Sequence, residues 1–281
     1  MTVRHALEGL TEYLRGAKVA SARLEAEMLL AHALGLDRLD LYLRPERALT
    51  EEQHRRVRAL AQRRAQGEPL QYLLGSVLFY NVKLRLSPAV LIPRPETEEL
   101  VELIVKDFLG APPQRVLDLG TGSGAIAIAL AKAWPQTQIV AADISNEALA
   151  IAEQNALSNG VQTQILFVRS DWYSALTGSF DLIVSNPPYL RSGALDSVQR
   201  EVRCEPRLAL DGGPDGLDAI TRIIRGSVHF LAPHGRLYLE IDADQGERVR
   251  RLLLATQIFA RAEILQDSSG RARFARAVRS A

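Results

Sequence analysis

The sequence predicts an α/β fold: a doubly wound, seven-stranded sheet preceded by a small all-helical domain and a short β-hairpin. Three observations predict it. Residues 1–75 carry apolar side chains at helical spacing. Residues 76–92 switch to an alternating pattern rich in β-branched and aromatic residues. From about residue 114, apolar strand runs alternate with helical segments. The expected organisation is a helical domain over 1–75, a hairpin linker over 76–92 and the α/β domain over 93–281.

In the first segment Val3, Leu7, Leu10 and Leu14 recur at steps of four, three and four, which places them on one helix face. A second helix is expected after Ser21 as N-cap, carrying Leu24, Met28 and Ala31. Thr50-Glu-Glu-Gln53 reads as a capping box, and Gly67 suits the end of the helix it opens. That helix carries Arg55, Arg56, Arg58, Arg63 and Arg64, which form either a solvated face or a docking face for an acidic or nucleic-acid-bearing partner. The run Ser76–Leu86, with Tyr80 and Asn81 near its centre, reads as a hairpin. Residues 93–99 open a helix that continues through Leu100, Leu103 and Ile104, and Glu96, Glu98 and Glu99 suit its N-terminal dipole. Strands are expected at Arg115–Leu119, Gln138–Asp143, Ile165–Arg169, Phe180–Ser185 and Arg236–Ile241, with helices such as Ala125–Ala133 and Asn146–Asn159 between them. Ala262–Gln266 and Arg273–Arg279 form a final antiparallel pair around Ser268-Ser269-Gly270.

Composition narrows the function. The 281 residues are 47% apolar, enough for a sizeable core. Lys plus Arg is 34 against 33 for Asp plus Glu, a balance that argues against a large nucleic-acid footprint. No apolar stretch reaches 18 residues, so no membrane span is expected, and the first eight residues lack the apolar core of a signal peptide. A single cysteine, Cys204, excludes an intrachain disulfide and suits the cytoplasm; it reads as a spectator. His5, His32, His54, His229 and His234 are scattered without ligand spacing, so no metal is expected.

The first strand of the sheet runs into Asp118-Leu-Gly120-Thr121-Gly122-Ser123-Gly124. Glycines at every second position allow a sharp turn and close approach of a ligand to the backbone. The pattern is not the G-x-G-x-x-G of dinucleotide enzymes. A carboxylate at Asp118 would repel a pyrophosphate and attract an ammonium or sulfonium, so the ligand implied is a cationic nucleoside, S-adenosylmethionine. Asp143, at the end of the second strand, is placed to accept hydrogen bonds from ribose hydroxyls. Asp171 and Trp172, after the third, can accept from an adenine amino group and stack on the ring. Asp143 could instead be an N-cap and Trp172 a core residue. Their convergence at successive carboxyl ends of strands points to one crevice.

The fourth strand delivers Asn186-Pro187-Pro188-Tyr189 to the same rim. Alone, two prolines after a strand also serve as a stop signal. Beside the glycine loop they suit one chemical role, that of holding a planar NH2 group for attack on an electrophile. The Asn186 side-chain oxygen accepts one hydrogen bond and the Pro187 carbonyl a second, while Tyr189 offers an aromatic wall on which Tyr→Phe should be mild. An amide nitrogen is a poor nucleophile because its lone pair is delocalised. Hydrogen bonds to both its N–H groups would align it and favour the charge that develops during attack.

With these motifs the chain resembles, over essentially its whole length, the protein N5-glutamine methyltransferases of class I peptide-chain release factors (the PrmC/HemK family). The resemblance includes Gly67-Glu-Pro-Leu-Gln-Tyr72-Leu-Leu-Gly75 and Leu91-Ile-Pro-Arg-Pro-Glu-Thr-Glu98. It continues through the glycine loop, Asp143, Trp172, Asn186–Tyr189 and Glu205–Leu217. It implies a class I S-adenosylmethionine-dependent methyltransferase fold (Rossmann-like), a helical N-terminal domain that binds the release factor, and S-adenosyl-L-homocysteine as product. The substrate it implies is the glutamine of the factor's Gly-Gly-Gln motif, and the substrate-binding positions are Asn186, Pro187, Pro188 and Tyr189. The cofactor positions are Asp118, the loop Gly120–Gly124, Asp143, Asp171, Trp172 and Asn186. Glu205 and Pro206 would help shape the substrate pocket. The chain departs from the family pattern at Glu240-Ile241-Asp242, where Gly is usual in place of Asp242, and no role is carried over there. Alternative readings are a nucleic-acid adenine or guanine amino methyltransferase, which would need a basic groove and a flipped base, a sister enzyme acting on a ribosomal protein, and a non-catalytic cofactor-binding adaptor.

Overall fold

The structure, a computed structural model, describes residues 1–281. Two compact units divide the chain: Met1–Ser76 with Gln199–Cys204, and Val77–Val198 with Glu205–Ala281.

The first unit holds five helices, α1 (Val3–Gly16), α2 (Ala22–Leu34), α3 (Arg38–Leu43), α4 (Glu51–Ala65) and α5 (Leu70–Leu74). On α1 the four expected positions, Val3, Leu7, Leu10 and Leu14, are buried. On α2 the buried apolar residues are Ala22, Ala26, Leu29, Leu30, Ala31, Ala33 and Leu34; of the expected positions Ala31 is buried, Met28 half-buried and Leu24 exposed. Alanines let α2 pack closely on its neighbours, so the buried face follows them rather than Leu24. Ser21 occupies the N-cap position of α2, but its side chain makes no capping hydrogen bond. The capping box of α4 is formed: Gln53 N–H donates to Thr50 Oγ1 at 3.2 Å, and Thr50 N–H donates to Gln53 Oε1 at 3.1 Å.

Arg64 leaves the arginine-rich face of α4. Its side chain is buried and paired with Glu25 and, at 3.0 Å, with Glu201. A buried guanidinium needs such partners to offset its desolvation. Gln199–Cys204 therefore belongs to the helical unit, although it lies within the segment 93–281 assigned to the α/β domain from sequence. Arg200 packs over Gly67 there, where an added Cβ would collide with its stem.

The second unit begins with the hairpin β1 (Ser76–Phe79) and β2 (Val82–Arg85) and continues through α6 (Pro95–Asp107), β3 (Arg115–Leu119), α7 (Ala125–Ala133), β4 (Gln138–Asp143), α8 (Asn146–Ser158), β5 (Ile165–Arg169) and β6 (Phe180–Ser185). Three short 3-10 turns between Ser192 and Ala209 follow. The chain then forms α9 (Asp218–Phe230), β7 (Leu231–Glu240), α10 (Gly246–Ala255), β8 (Phe259–Gln266) and β9 (Ala272–Arg279). β7 starts five residues before the expected Arg236, and β8 starts three before Ala262.

The sheet has seven strands in the order β5-β4-β3-β6-β7-β9-β8, with β9 antiparallel to both neighbours and the rest parallel. Alternate residues of the central strands feed two cores. Leu182 and Val184 point to the side covered by α6, α7 and the hairpin, and Ile183 to the side covered by α9 and α10. The near-continuous apolar run of α7, Ala125–Ala131, is buried throughout, as suits a helix at the centre of such a layer. Successive strands are added on one side of β3 as far as β5 and then on its other side from β6, so the strand order switches between β3 and β6, where ligand crevices form in open α/β sheets.

Candidate active site

A cavity of about 530 Å3 opens at the carboxyl ends of these strands. Its wall is built from Gly120 and Gly122 after β3, Asp143 at the end of β4, Asp171 and Trp172 after β5, and Asn186 and Pro188 after β6. The structure thus brings one residue or more from each sequence motif to a single crevice. Leu91, Pro206 and Leu208 complete the apolar side.

The glycine loop is held from both sides. Gly122 N–H donates to Asp143 Oδ2 at 2.9 Å, and Ser145 N–H donates to Oδ1 at 2.9 Å. Each carboxylate oxygen keeps a lone pair, so Asp143 can still accept from a ligand hydroxyl. Burial raises its carboxyl above the usual range, against the backbone donors. Gly122 has φ +56°, and a Cβ there would meet only the Gly120 carbonyl at 4.0 Å. Gly124, with φ +82°, faces inward: a Cβ would sit 2.9 Å from Ile128 and 3.1 Å from Ala152. Gly122 keeps the ligand side open, and Gly124 lets α7 pack against α8.

Several sequence-predicted residues stand behind the wall. Asp118, Thr121, Ser123, Gly124, Pro187 and Tyr189 do not line the cavity. Asp118 is fully buried under the loop. Its Oδ2 accepts from Thr121 Oγ1 at 2.7 Å and from Ala127 N–H at 3.1 Å, and its Oδ1 has no partner. Sequence reasoning gave it a charge contact with the ligand; the geometry makes it an anchor for the loop and the start of α7. Burial pushes its carboxyl up to about 7.

Trp172 reaches the cavity through a left-handed backbone, φ +52°. Ser170 Oγ donates to the Trp172 carbonyl at 2.7 Å and accepts from Ala175 N–H at 3.1 Å, which holds that turn. Asp171 is paired at 2.8 Å with Arg222, another cavity residue that sequence reasoning did not find.

At the end of β6, Ser185 Oγ donates to the Leu119 carbonyl at 2.6 Å and binds the two strand ends together. Asn186 Nδ2 donates to Thr97 Oγ1 at 3.0 Å, and Thr97 Oγ1 donates to Glu240 Oε2 at 2.7 Å. The Tyr189 hydroxyl donates to Glu240 Oε1 at 3.2 Å. The Tyr189 ring packs on the α9/α10 core, so its hydroxyl is engaged and substitution by Phe is no longer the mild change expected of a free stacking wall. Burial pushes Glu240 up to about 7, against the hydrogen bonds from Thr97 and Tyr189. The backbone beyond Tyr189 is clasped by the buried Gln245, whose Nε2 donates at 3.0 Å to the carbonyls of Tyr189 and Gly216. Glu205 accepts from Ile92 N–H at 2.9 Å and pairs with Arg94, which holds the segment before α6. Asp242 has no positive φ, so the turn after Glu240 does not need the glycine usual there. Thr97, Glu240 and Gln245 were missed as site residues, although Thr97 and Glu240 lie in stretches the resemblance had already marked.

The donor set fits a cationic nucleoside. The apolar and aromatic walls suit a base, Asp143 keeps free lone pairs, and the unpartnered Asp118 Oδ1 adds negative potential beneath the loop.

Residues 5–75 match the family model of the PrmC N-terminal domain, and residues 96–213 match the methyltransferase small domain. The chain is 41% identical to the release factor glutamine methyltransferase of Moorella thermoacetica, covering 97% of each chain. It is 42% identical to that of Geobacter sulfurreducens, covering 96% of this chain and 94% of the relative. Among solved structures, the ribosomal protein L11 methylase from Lactobacillus delbrueckii subsp. bulgaricus aligns with a TM-score of 0.50 at 25% identity, covering 67% of this chain and 81% of that one. With relatives of this identity matched end to end, the chain belongs to the release factor glutamine methyltransferase family.

Proposed function

We propose that this protein transfers a methyl group from S-adenosylmethionine to the side-chain amide nitrogen, N5, of the glutamine in the Gly-Gly-Gln motif of class I peptide-chain release factors. One observation carries the reading. The Asn186 amide stands on the cavity wall beside the glycine loop, its NH2 end tied to Thr97.

When bound, the cofactor supplies an electrophilic methyl on a sulfonium. The chain's residues do the rest. Gly120 and Gly122 let the ligand lie against the backbone, Asp143 accepts from its ribose, and Trp172 covers its base. Asn186 Oδ1 accepts one N–H of the glutamine NH2, which holds the nitrogen in line for transfer, while the Pro187 carbonyl, expected from sequence as the second acceptor, stands off the cavity wall. The Asn186 contact also favours the positive charge that builds on the nitrogen. No strong base is needed, because the nitrogen proton becomes acidic once the methyl has moved. Tyr189 acts from behind the wall rather than as a stacking surface. The helical unit is the docking module for the factor, and the setting is the cytoplasm.

The experiment offers tritiated S-adenosylmethionine to purified release factor, ribosomal proteins and DNA in parallel. Label on the factor's Gly-Gly-Gln glutamine is expected. Label confined to a ribosomal protein or to DNA would overturn the reading.

A further inference from the structure

We infer that Thr97 is a positioning residue that fixes which end of the Asn186 amide faces the substrate, with the buried carboxylate of Glu240 setting the direction of its hydroxyl hydrogen. The inference rests on Asn186 being the acceptor for the glutamine amide.

Rotated by half a turn, an Asn amide presents either an acceptor or two donors, in nearly the same shape. Only the acceptor end can hold a substrate NH2. Something must therefore choose, and the choice is visible in the hydrogen bonds. Thr97 Oγ1 has a single hydrogen and lies 2.7 Å from Glu240 Oε2. An ionised carboxylate only accepts, so that hydrogen is committed to Glu240. Toward Asn186, Thr97 can then only accept. The amide turns its Nδ2 to Thr97 at 3.0 Å and leaves Oδ1 for the cavity side. The Tyr189 hydroxyl donates to the other carboxylate oxygen, so neither oxygen of Glu240 is left to compete. Thr97 and Glu240 are both buried, which keeps water from rewriting the pattern.

Protonation of Glu240 would reverse it. A neutral carboxyl group can donate to Thr97, and the Thr97 hydrogen is then free to point at Asn186. The amide would swing round and oppose its NH2 to the NH2 of the substrate. The groups facing Glu240 are Thr97 and Glu96 on α6, Tyr189 after β6 and Arg273 on β9. Burial and the Glu96 charge favour the neutral form; Arg273, Thr97 and Tyr189 favour the carboxylate, and the balance falls near pH 7. The rate should therefore fall as pH drops through about 7.

The test is single-turnover methyl transfer by the full-length protein, at saturating S-adenosylmethionine and release factor, from pH 5.5 to 8.5. Thr97→Ser keeps the hydroxyl and should stay within about twofold of wild type. Thr97→Val keeps the shape and should lose on the order of 10- to 100-fold in rate, as a misplaced contact does. Cofactor affinity by calorimetry should not change. In an Asn186→Ala background, Thr97→Val should cost nothing more. Glu240→Gln should remove the acid limb, and Tyr189→Phe, which takes away a donor that favours the carboxylate, should move it to higher pH. A wild-type rate in Thr97→Val with Asn186→Ala impaired would overturn the relay alone, and so would a full additional loss in the double variant. A wild-type rate in Asn186→Ala would overturn the proposed role of Asn186 itself. Should Thr97→Val fail to fold, an unchanged acid limb in Glu240→Gln overturns the relay.

Discussion

Asn186 holds Thr97 with one end of its amide and presents the other to the cavity. Asn186→Ala should cost about 2.7–4 kcal/mol of transition-state stabilisation, a 10²–10³-fold loss in single-turnover rate, as when one preorganised donor or acceptor is deleted. Tyr189→Phe should lower stability as well as move the acid limb of the rate. It strips a donor from the buried Glu240, and an unsatisfied buried acceptor costs roughly 1–3 kcal/mol, readable in a urea titration. Asp143→Ala should weaken cofactor binding by roughly 1.5–3 kcal/mol, measured by calorimetry, for the hydrogen bonds lost from a charged acceptor. At this scale the sequence reveals contiguous motifs and hides long-range pairs. Asn186, Gly122 and Asp143 announce themselves because their neighbours signal a strand end and a turn. Thr97 and Glu240 lie 143 residues apart, and only the fold brings them together. Asp118 was found by its place before the glycines, but which way its carboxylate turns depends on the packing of α7.

Among the elements, the loop between β3 and α7 separates two uses of glycine. Gly122→Ala adds strain from its positive φ, of roughly 1–2 kcal/mol, and puts a methyl on the ligand face, so cofactor affinity should drop. Gly124→Ala adds the same strain and also crowds Ile128 and Ala152, which should cost roughly 1–3 kcal/mol more in folding stability. Parallel denaturant melts and cofactor titrations would separate the two; equal stability losses would contradict the packing role of Gly124. The element pattern itself was legible because buried parallel strands are apolar runs and α7 is apolar throughout. The early start of β7 at Leu231 was not. Pro233 and Gly235 within that stretch argue against a strand, and pairing with β6 at Phe180 overrides them.

For the whole molecule, the two buried carboxyls predict an unusual pH profile. Burial lifts Asp118 and Glu240 to about 7 in the folded chain, from 3.8 and 4.5. A raised carboxyl stabilises the fold fully below its unfolded value, and that contribution is lost as pH climbs to the folded value. Thermal stability should therefore decline between pH 5 and 7.5. The Asp118→Asn/Glu240→Gln double variant should lose that slope in melts across the same range. A parallel slope in wild type and variant would show that other groups set it. Against the opposing effect of burial, hydrogen bonds hold down Asp107, from Tyr238 and Arg276, and Glu263, from Arg276; these carboxylates act in the opposite sense and at lower pH. Truncation is a second test at this scale. The hairpin residues Phe79, Val82 and Leu84 are part of the sheet's core, so a cut at residue 86 would open it, and Val77 is the better start. Val77–Ala281 should bind cofactor and methylate intact factor poorly; an unchanged rate would remove the helical unit as the docking module.

Through Glu201, the helical unit depends on a segment that lies 137 residues beyond its own Arg64. As the polypeptide leaves the ribosome, α1 to α5 emerge before Gln199–Cys204 and can collapse on their own apolar core, which draws only on Val3–Leu74. Arg64 is then covered with Glu25 alone, because Glu201 has not yet been made. The unit reaches its final charge balance only after the whole of Val77–Val198 has been synthesised, and closing so long a loop carries an entropic cost that grows slowly with its length. The helical unit, though synthesised before Val77–Val198, is thus finished after it.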